Sequence, residues 1–462
     1  MFDIDYYLTH EEVNLMNNNI SNIGTFVSEH PEKKVQNLAR YLSEDNLKRA
    51  FFKLNKRKAI GIDGVTANDY MRDLDANIHN LYERLVHMTY KPLPSRRVYI
   101  PKPGSNKKRP LGIPCLEDKI VQHVMAEILN EIYEQMFINE SYGFRPKRNC
   151  HQAVTYLRNM IVTRKVNYIV DADIKGFFDN IDHEWMIKFL EYRIDDRRFI
   201  ELINRFLKSG IIENEMYYET DKGTPQGGII SPILANIYLH FVQDLWVEKI
   251  VKPKSRGEVY YVRYADDSQI CFQYKDDAER YYYSLISRLN KFGLEVAENK
   301  TRIIAFGRFT KSDMEKKGIK GKPNTFSFLG FTFYLSQTKF THKFTVFTHK
   351  FTVKLKTDGK KLSAKMRKAS VWLKHIRHHK VKEIICTINR SLRGHYQYYG
   401  VSDNYKCLYR FRWHIIRMLF KVLRSRGNRR RLTWDTYLNK ILKENPIVNP
   451  RIYIKLYSDT AY

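Results

Sequence analysis

The chain has 462 residues, 43% of them hydrophobic, which is enough to bury the cores of two or three domains. Its 80 Lys and Arg against 50 Asp and Glu give a formal charge of +30, and its five scattered cysteines never form a Cys-x-x-Cys pair, which argues against a disulfide framework or a zinc site. No basic segment followed by an apolar run opens the chain, and its most apolar stretch, residues 227 to 242, is interrupted by Ser231, Asn236 and His240, so neither a signal peptide nor a membrane span is predicted and a cytoplasmic setting is expected.

Residues 1 to 55 are predicted as a mostly helical extension. Residues 53 to 64 then bring a basic run and two glycines into a loop that could approach phosphates. From Leu93 to Pro114 two short strands flank a turn, with Lys102 and Arg109 in a basic cluster. Apolar residues at helical spacing fill 116 to 137, and Ser141-Tyr-Gly-Phe-Arg-Pro146 is a basic, aromatic loop. Val166 to Ala172 reads as a buried strand that delivers Asp173 at its end, with Asp182 placed to cap the next helix. The Gly- and Pro-rich turn Gly223-Thr-Pro-Gln-Gly-Gly228 opens into a core helix.

Residues 258 to 274 alternate as two strands across a tight turn, with Asp266 and Asp267 at its tip. Adjacent carboxylates repel, and one holds a proton unless a more highly charged cation is bound there; a divalent metal is the natural candidate. Phe326 to Phe333 reads as a strand containing a glycine. A tandem duplication follows, Thr341-His-Lys-Phe-Thr-Val346 and Thr348-His-Lys-Phe-Thr-Val353; its odd period of seven would turn the second copy to the other sheet face, so one copy is expected to bulge or loop out.

Beyond Lys360 the pattern is helical. Leu408, Phe411, Ile415, Leu419 and Val422 form an apolar stripe, while Arg410, Arg417, Lys421 and Arg424 share another face. Residues 339 to 431 carry 26 basic and three acidic residues, +23 of the +30. Charge so concentrated marks a surface for a polyanion.

Asp173 at a strand end and Asp266-Asp267 at a hairpin tip are the set that a palm-type nucleotidyl transferase needs to hold two metal ions. Around them stand Lys102 with Arg109-Pro-Leu-Gly-Ile-Pro114, Ser141-Tyr-Gly-Phe-Arg-Pro146, Asp173-Ile-Lys-Gly-Phe-Phe-Asp179, Thr224-Pro-Gln-Gly-Gly-Ile-Ile-Ser-Pro232, Tyr264-Ala-Asp-Asp267, Phe292-Gly-Leu-Glu-Val-Ala-Glu-Asn-Lys-Thr301 and Phe328-Leu-Gly-Phe331. In order and spacing these resemble the reverse transcriptases encoded by group II introns, the maturase-reverse transcriptases, from about residue 50 to the end.

The resemblance implies an α+β right-hand polymerase. Fingers and palm, an antiparallel palm sheet plus helices, would span 56 to 335. A basic α-helical thumb/maturase domain would span 336 to 431, and a tail with a candidate short DNA-binding segment 432 to 462. It implies Asp173, Asp266 and Asp267 as ligands of two Mg2+ ions, with Mn2+ as an alternative. Lys102 and Arg109 would hold the triphosphate, Phe178 would exclude a 2′-hydroxyl, and Gln226 would contact the incoming nucleotide or template. Arg410, Arg417, Lys421 and Arg424 would grip nucleic acid.

The implied partners are group II intron RNA, an RNA template with a DNA or RNA primer, target DNA and dNTPs, with no membrane; a homodimer is left open. The implied function is copying intron RNA into DNA during retrohoming and assisting its splicing. Two alternatives are an RNA-binding maturase with little polymerase activity and a related enzyme recruited to host defence. Many relatives end in an endonuclease domain with paired Cys and His ligands, whereas residues 432 to 462 contain no Cys, so second-strand cleavage is not expected of this segment.

Overall fold

The computed structural model describes residues 19 to 55, 59 to 101, 108 to 224, 227 to 342, 345 to 426 and 432 to 456. The architecture is α+β, as predicted: two sheets and their helices, a third sheet behind them, and a helical bundle. Strands β1 (Ser95–Pro101) and β2 (Lys108–Ile113) form the hairpin predicted around the basic cluster. After β3 (Tyr168–Ala172), β4 (Ile211–Glu213) and β5 (Met216–Tyr218) extend the first sheet in the order β2-β1-β4-β5.

Strands β6 (Val259–Tyr264) and β7 (Asp267–Phe272) are the two arms of the acidic hairpin, and β8 (Arg302–Ala305) pairs with the far edge of β3. The central sheet is antiparallel throughout, in the order β6-β7-β3-β8. Alternation along β3 sends Ile169 into one core and Val170 into another, so both faces of this sheet are covered.

One core joins that sheet to the helices on its first face, including Leu116–Tyr133 and Ser231–Leu239. The N-terminal helices Ser21–Glu29 and Glu44–Lys53 contribute Ile23, Val27, Leu47 and Phe51 to the same core. Their apolar stripes are buried in the same core as the helices and sheet that follow them.

The second core lies under the opposite face, between helix Cys150–Thr163 and the sheet formed by β9 (Phe326–Phe328), β10 (Phe331–His342) and β11 (Thr345–Thr357). The single strand predicted over 326 to 333 is in fact a hairpin. Leu329 and Gly330 take φ of 49° and 82°, and two consecutive left-handed residues reverse the chain. The second copy of the duplication pairs within β11; the first straddles the β10–β11 connection, where the register shifts between Phe340 and His342. Strand β10 thus crosses the boundary expected near residue 335, and the bundle begins at Gly359.

Helices Gly359–His375, Val381–Tyr399 and Tyr405–Arg424 enclose the third core, where all five predicted stripe residues of the last helix are buried. The tail closes this core with Tyr437 and Ile447. Leu456 returns to the second core, and its carbonyl accepts from the buried Arg158, which also donates to Val353 O and Thr352 Oγ1. Among the described residues no helix is long and apolar enough to cross a membrane.

The tightest polar junction is between helix Ser231–Leu239 and the acidic hairpin. Beyond Leu239 this helix widens into a π turn, His240–Asp244, that turns Asp244 inward. Arg263 of β6 grips it in two parallel bonds, Nε to Oδ1 at 2.7 Å and Nη2 to Oδ2 at 2.6 Å, with both side chains wholly buried. Tyr261 adds its hydroxyl at 3.0 Å. Burial alone would raise the Asp244 carboxyl, but the Arg263 charge and its paired hydrogen bonds, with His240 Nδ1 3.8 Å away, hold it down at about 2.

Because this folded value lies below the ordinary 3.8, the pair's stabilisation is fully present above about pH 4 and is lost as pH falls toward 2. Arg263→Met, which strands a buried carboxylate, is expected to cost roughly 3–5 kcal/mol in denaturant unfolding at pH 7 and to flatten the acid limb of the stability profile.

Candidate active site

Strand register assembles the acidic end. Ala172 pairs with Ser268, so Asp173, the next residue, falls level with Asp267. Tyr264 pairs with Asp267, leaving Ala265 and Asp266 as the two-residue tip. Asp171, two residues before Asp173 on the same face of β3, accepts from Gln269 Nε2 at 2.6 Å and adds a fourth carboxylate.

The turn is strained and braced. Ala265 sits at φ 57°, a conformation unfavourable for any residue with a Cβ. Its carbonyl accepts from Arg263 Nη1 at 3.0 Å, the same nitrogen that donates to Asn236 Oδ1 at 2.9 Å. Asn236 in turn donates to Gly143 O at 2.7 Å. The loop carrying Ser141-Tyr-Gly-Phe runs beside β6, with Tyr142 N bonded to Arg263 O and Arg263 N to Glu140 O, each at 2.9 Å. A Cβ on Gly143 would lie 2.2 Å from Ala265 N, so only glycine lets this loop press against the turn.

Each of the three predicted carboxylates feels a different basic residue. Asp173 forms an ion pair with Lys300, its backbone N–H donates to Thr301 Oγ1, and its carbonyl accepts from Ala297 N. Burial raises the Asp266 carboxyl and Asp173 adds to this, while its own backbone hydrogen bond and the charges of Arg109 and Arg263 oppose it. Burial, then Asp171, Asp266 and Asp173, push Asp267 up to about 7 against the pull of Lys361.

Lys361 comes from the first bundle helix, which Asp358 caps by accepting from Lys361 N; Asp358 N donates to Gly330 O and its Oδ2 accepts from Ser327 Oγ. The bundle thereby places a charge beside the strand ends. Lys300 stood within a motif already singled out, whereas nothing in the sequence separates Lys361 or Asp171 from their neighbours.

Arg109 lies on β2 as predicted. Phe178 sits half-buried in the short turn Phe177–Asp179, its ring edge-on to Phe177 and its carbonyl accepting from Thr224 N at 2.8 Å. Gly223 packs so closely on the Phe178 and Asp179 carbonyls that a Cβ would come within 2.9 Å of both. Lys102 and Gln226 lie outside the described residues. Arg410, Arg417, Lys421 and Arg424 all lie on the exposed face of helix Tyr405–Arg424.

Among the described residues no three His, Cys, Asp or Glu side chains form a ready-made metal cage. Mg2+ is ordinarily held by one or two carboxylates together with substrate phosphates, so such a cage is not required. The donor set suits a hard divalent cation. It offers carboxylate oxygens, burial and mutual repulsion that together raise Asp267, and a lysine ammonium standing against Asp173 as a counter-charge.

Residues 100–333 match the family model described as reverse transcriptase (RNA-dependent DNA polymerase). The chain is 42% identical over 204 residues to the group II intron-encoded protein LtrA of Lactococcus lactis subsp. cremoris, an alignment covering 44% of this chain and 34% of LtrA. It is 33% identical over 246 residues to protein YkfC of Escherichia coli (strain K12), covering 52% of this chain and 64% of YkfC. A putative COX1/OXI3 intron 1 protein of Saccharomyces cerevisiae is 33% identical over 262 residues, 46% of this chain and 31% of the relative. The chain thus spans about a third of the length of LtrA and just under two thirds of YkfC.

Gly143→Ala is expected to displace the turn backbone and lower nucleotide addition by about 10²-fold, the scale for a misplacement of an ångström at a reacting centre. Primer-extension rates compared with RNA affinity check this; RNA affinity is expected to stay unchanged.

Proposed function

The chain belongs to the reverse transcriptase (RNA-dependent DNA polymerase) family, and on that premise we propose that it extends a primer on an RNA template with dNTPs, that the template is a group II intron RNA, and that it also assists the splicing of that RNA. The observation carrying this reading is the register that sets Asp173 level with Asp267, with Asp266 at the adjoining tip. The choice of RNA is supported by similarity to a group II intron-encoded protein and by the +23 held in residues 339 to 431.

Asp173 and Asp266 would hold two Mg2+ ions with Asp267 beside them; when bound, such ions activate the primer 3′-hydroxyl and stabilise the departing pyrophosphate. The chain's own residues do the rest. Asp267, raised to about 7 by burial first and then by its carboxylate neighbours, can hold or release a proton near neutral pH. Arg109, whose charge already acts on Asp266, would bind phosphate oxygens with its planar fork. Lys102 and Gln226 take the triphosphate and nucleotide or template roles by resemblance alone. Phe178, held between the core and Gly223, is a rigid wall of the kind that rejects a 2′-hydroxyl by shape. The bundle, which also presents Lys361 to the acidic end, grips the template duplex and folded RNA through their backbones.

Asp266→Ala should reduce cDNA synthesis by on the order of 10³-fold while leaving intron RNA binding at the wild-type level. Loss of both together would contradict separate polymerase and RNA-binding roles, and retained synthesis would remove Asp266 from the chemistry. Phe178→Val is expected to relax sugar discrimination by about tenfold or more, read as the ratio of kcat/KM for a dNTP over its ribonucleotide counterpart.

A further inference from the structure

The exposed face of helix Tyr405–Arg424 carries more than charge. Trp413, Arg417, Phe420, Lys421 and Arg424 follow one another along it, and Trp434 folds back from the tail to complete an open groove of about 690 Å³ with Ser425. That volume lies in the ~300–1,000 Å³ range of ordinary ligand clefts. Trp434 is held edge-on by two rings, Trp413 at 5.9 Å and 81° and Phe420 at 4.8 Å and 87°, and packs on Tyr437 at 5.4 Å. Trp413 itself is 39% exposed, a large apolar ring open to solvent beside three cations.

Among the described residues, Arg417, Lys421 and Arg424 meet no carboxylate within ion-pair distance. An aromatic floor fixed by perpendicular neighbours, flanked by unneutralised Lys and Arg at successive helical turns, suits an unpaired nucleotide. Its base can stack on an indole while phosphates on either side meet the cations. A-form duplex offers no free base face, so a site for duplex alone would need the charges without the open tryptophan.

We infer that the Trp413–Trp434 groove is a single-stranded RNA site, in which an unstacked base lies against Trp413 and the flanking phosphates contact Arg417, Lys421 and Arg424. The inference rests on reading the basic bundle as a nucleic-acid grip and adds to it a preference for unpaired strand at this position. The side chains on the groove form a sequence-tolerant site, since every base presents a π face and none of the three cations is paired to fix a base edge.

The test uses the full-length chain, a dodecamer of oligouridylate and a duplex RNA of equal length. Trp413→Ala is expected to weaken oligouridylate binding about five- to a hundredfold with an unchanged salt slope, and Trp413→Phe to restore most of it. Arg417→Gln with Lys421→Gln is expected to lower the slope of log affinity against log salt by about 1.4, two phosphates at 0.7 each. Duplex affinity should be insensitive to Trp413→Ala.

Equal losses for duplex and single strand, or no loss for either, would overturn the stacking site while leaving the proposed function standing. Tighter binding of oligothymidylate than oligouridylate would overturn the choice of RNA. A wild-type dimer dissolved by Trp413→Ala would assign the groove to a second copy of the chain instead. Failure of the wild-type chain to bind any RNA would overturn the underlying reading itself.

Discussion

A guanidinium and a carboxylate with no access to water, Arg263 and Asp244, hold the acidic hairpin to the helix behind it. Ion pairs of this kind contribute little net stability, because desolvating both partners costs about as much as their attraction returns. Their value lies in geometry. Two parallel hydrogen bonds allow one arrangement, and the remaining guanidinium nitrogen is spent on Asn236 Oδ1 and Ala265 O, which fixes the turn at its strained residue. The strain at Ala265 persists because Arg263, the Gly143 loop and the strand ladder all impose it.

With the turn fixed, the electrostatics of the acidic end follow. Four carboxylates, Asp171, Asp173, Asp266 and Asp267, stand at the ends of two adjacent strands; burial raises Asp171, Asp266 and Asp267, while the partly exposed Asp173 is paired with Lys300. The fold answers with cations from several elements: Lys300 after the helix that follows the hairpin, Arg302 of β8 against Asp171, Arg263 of β6 and Arg109 from the first sheet near Asp266, and Lys361 from the bundle. None cancels the repulsion outright, and Asp267 remains raised. A site so poised has an unmet demand for positive charge, as expected where a divalent cation and a triphosphate are to arrive together.

The bundle is tied to this site rather than merely adjacent to it. Tyr398 stacks on Phe331 at 5.9 Å, donates to Leu329 O and offers its own carbonyl to His151. These contacts bind the second bundle helix to the β9–β10 turn and to the helix below the central sheet. The same turn bonds to Asp358, the cap of the helix that bears Lys361. Movement of the bundle would therefore be felt at the strand ends, and the exposed basic face of its last helix is carried by a body whose other contacts lead to the carboxylates.

Much of this was legible in the chain as written. A short apolar run located β3, alternation located the hairpin, the short side chain of Asp182 marked a helix cap, and the sign of the charge marked the bundle's outer face, because period, capping and composition are local properties. The hairpin at Leu329-Gly330 carries the local pattern of one strand, since Leu is a poor signal for a left-handed turn and the aromatic residues on either side continue the strand pattern.

What the sequence determined by itself was which carboxylates end strands and where positive charge collects. Only the tertiary structure decided that Asp171 joins Asp173, that Lys361 crosses from the bundle to Asp267, and that Trp434 returns to stand beside Trp413. Those are meetings of residues separated by strand pairing and chain reversal, and no local pattern encodes which distant side chain will share a buried, weakly screened space.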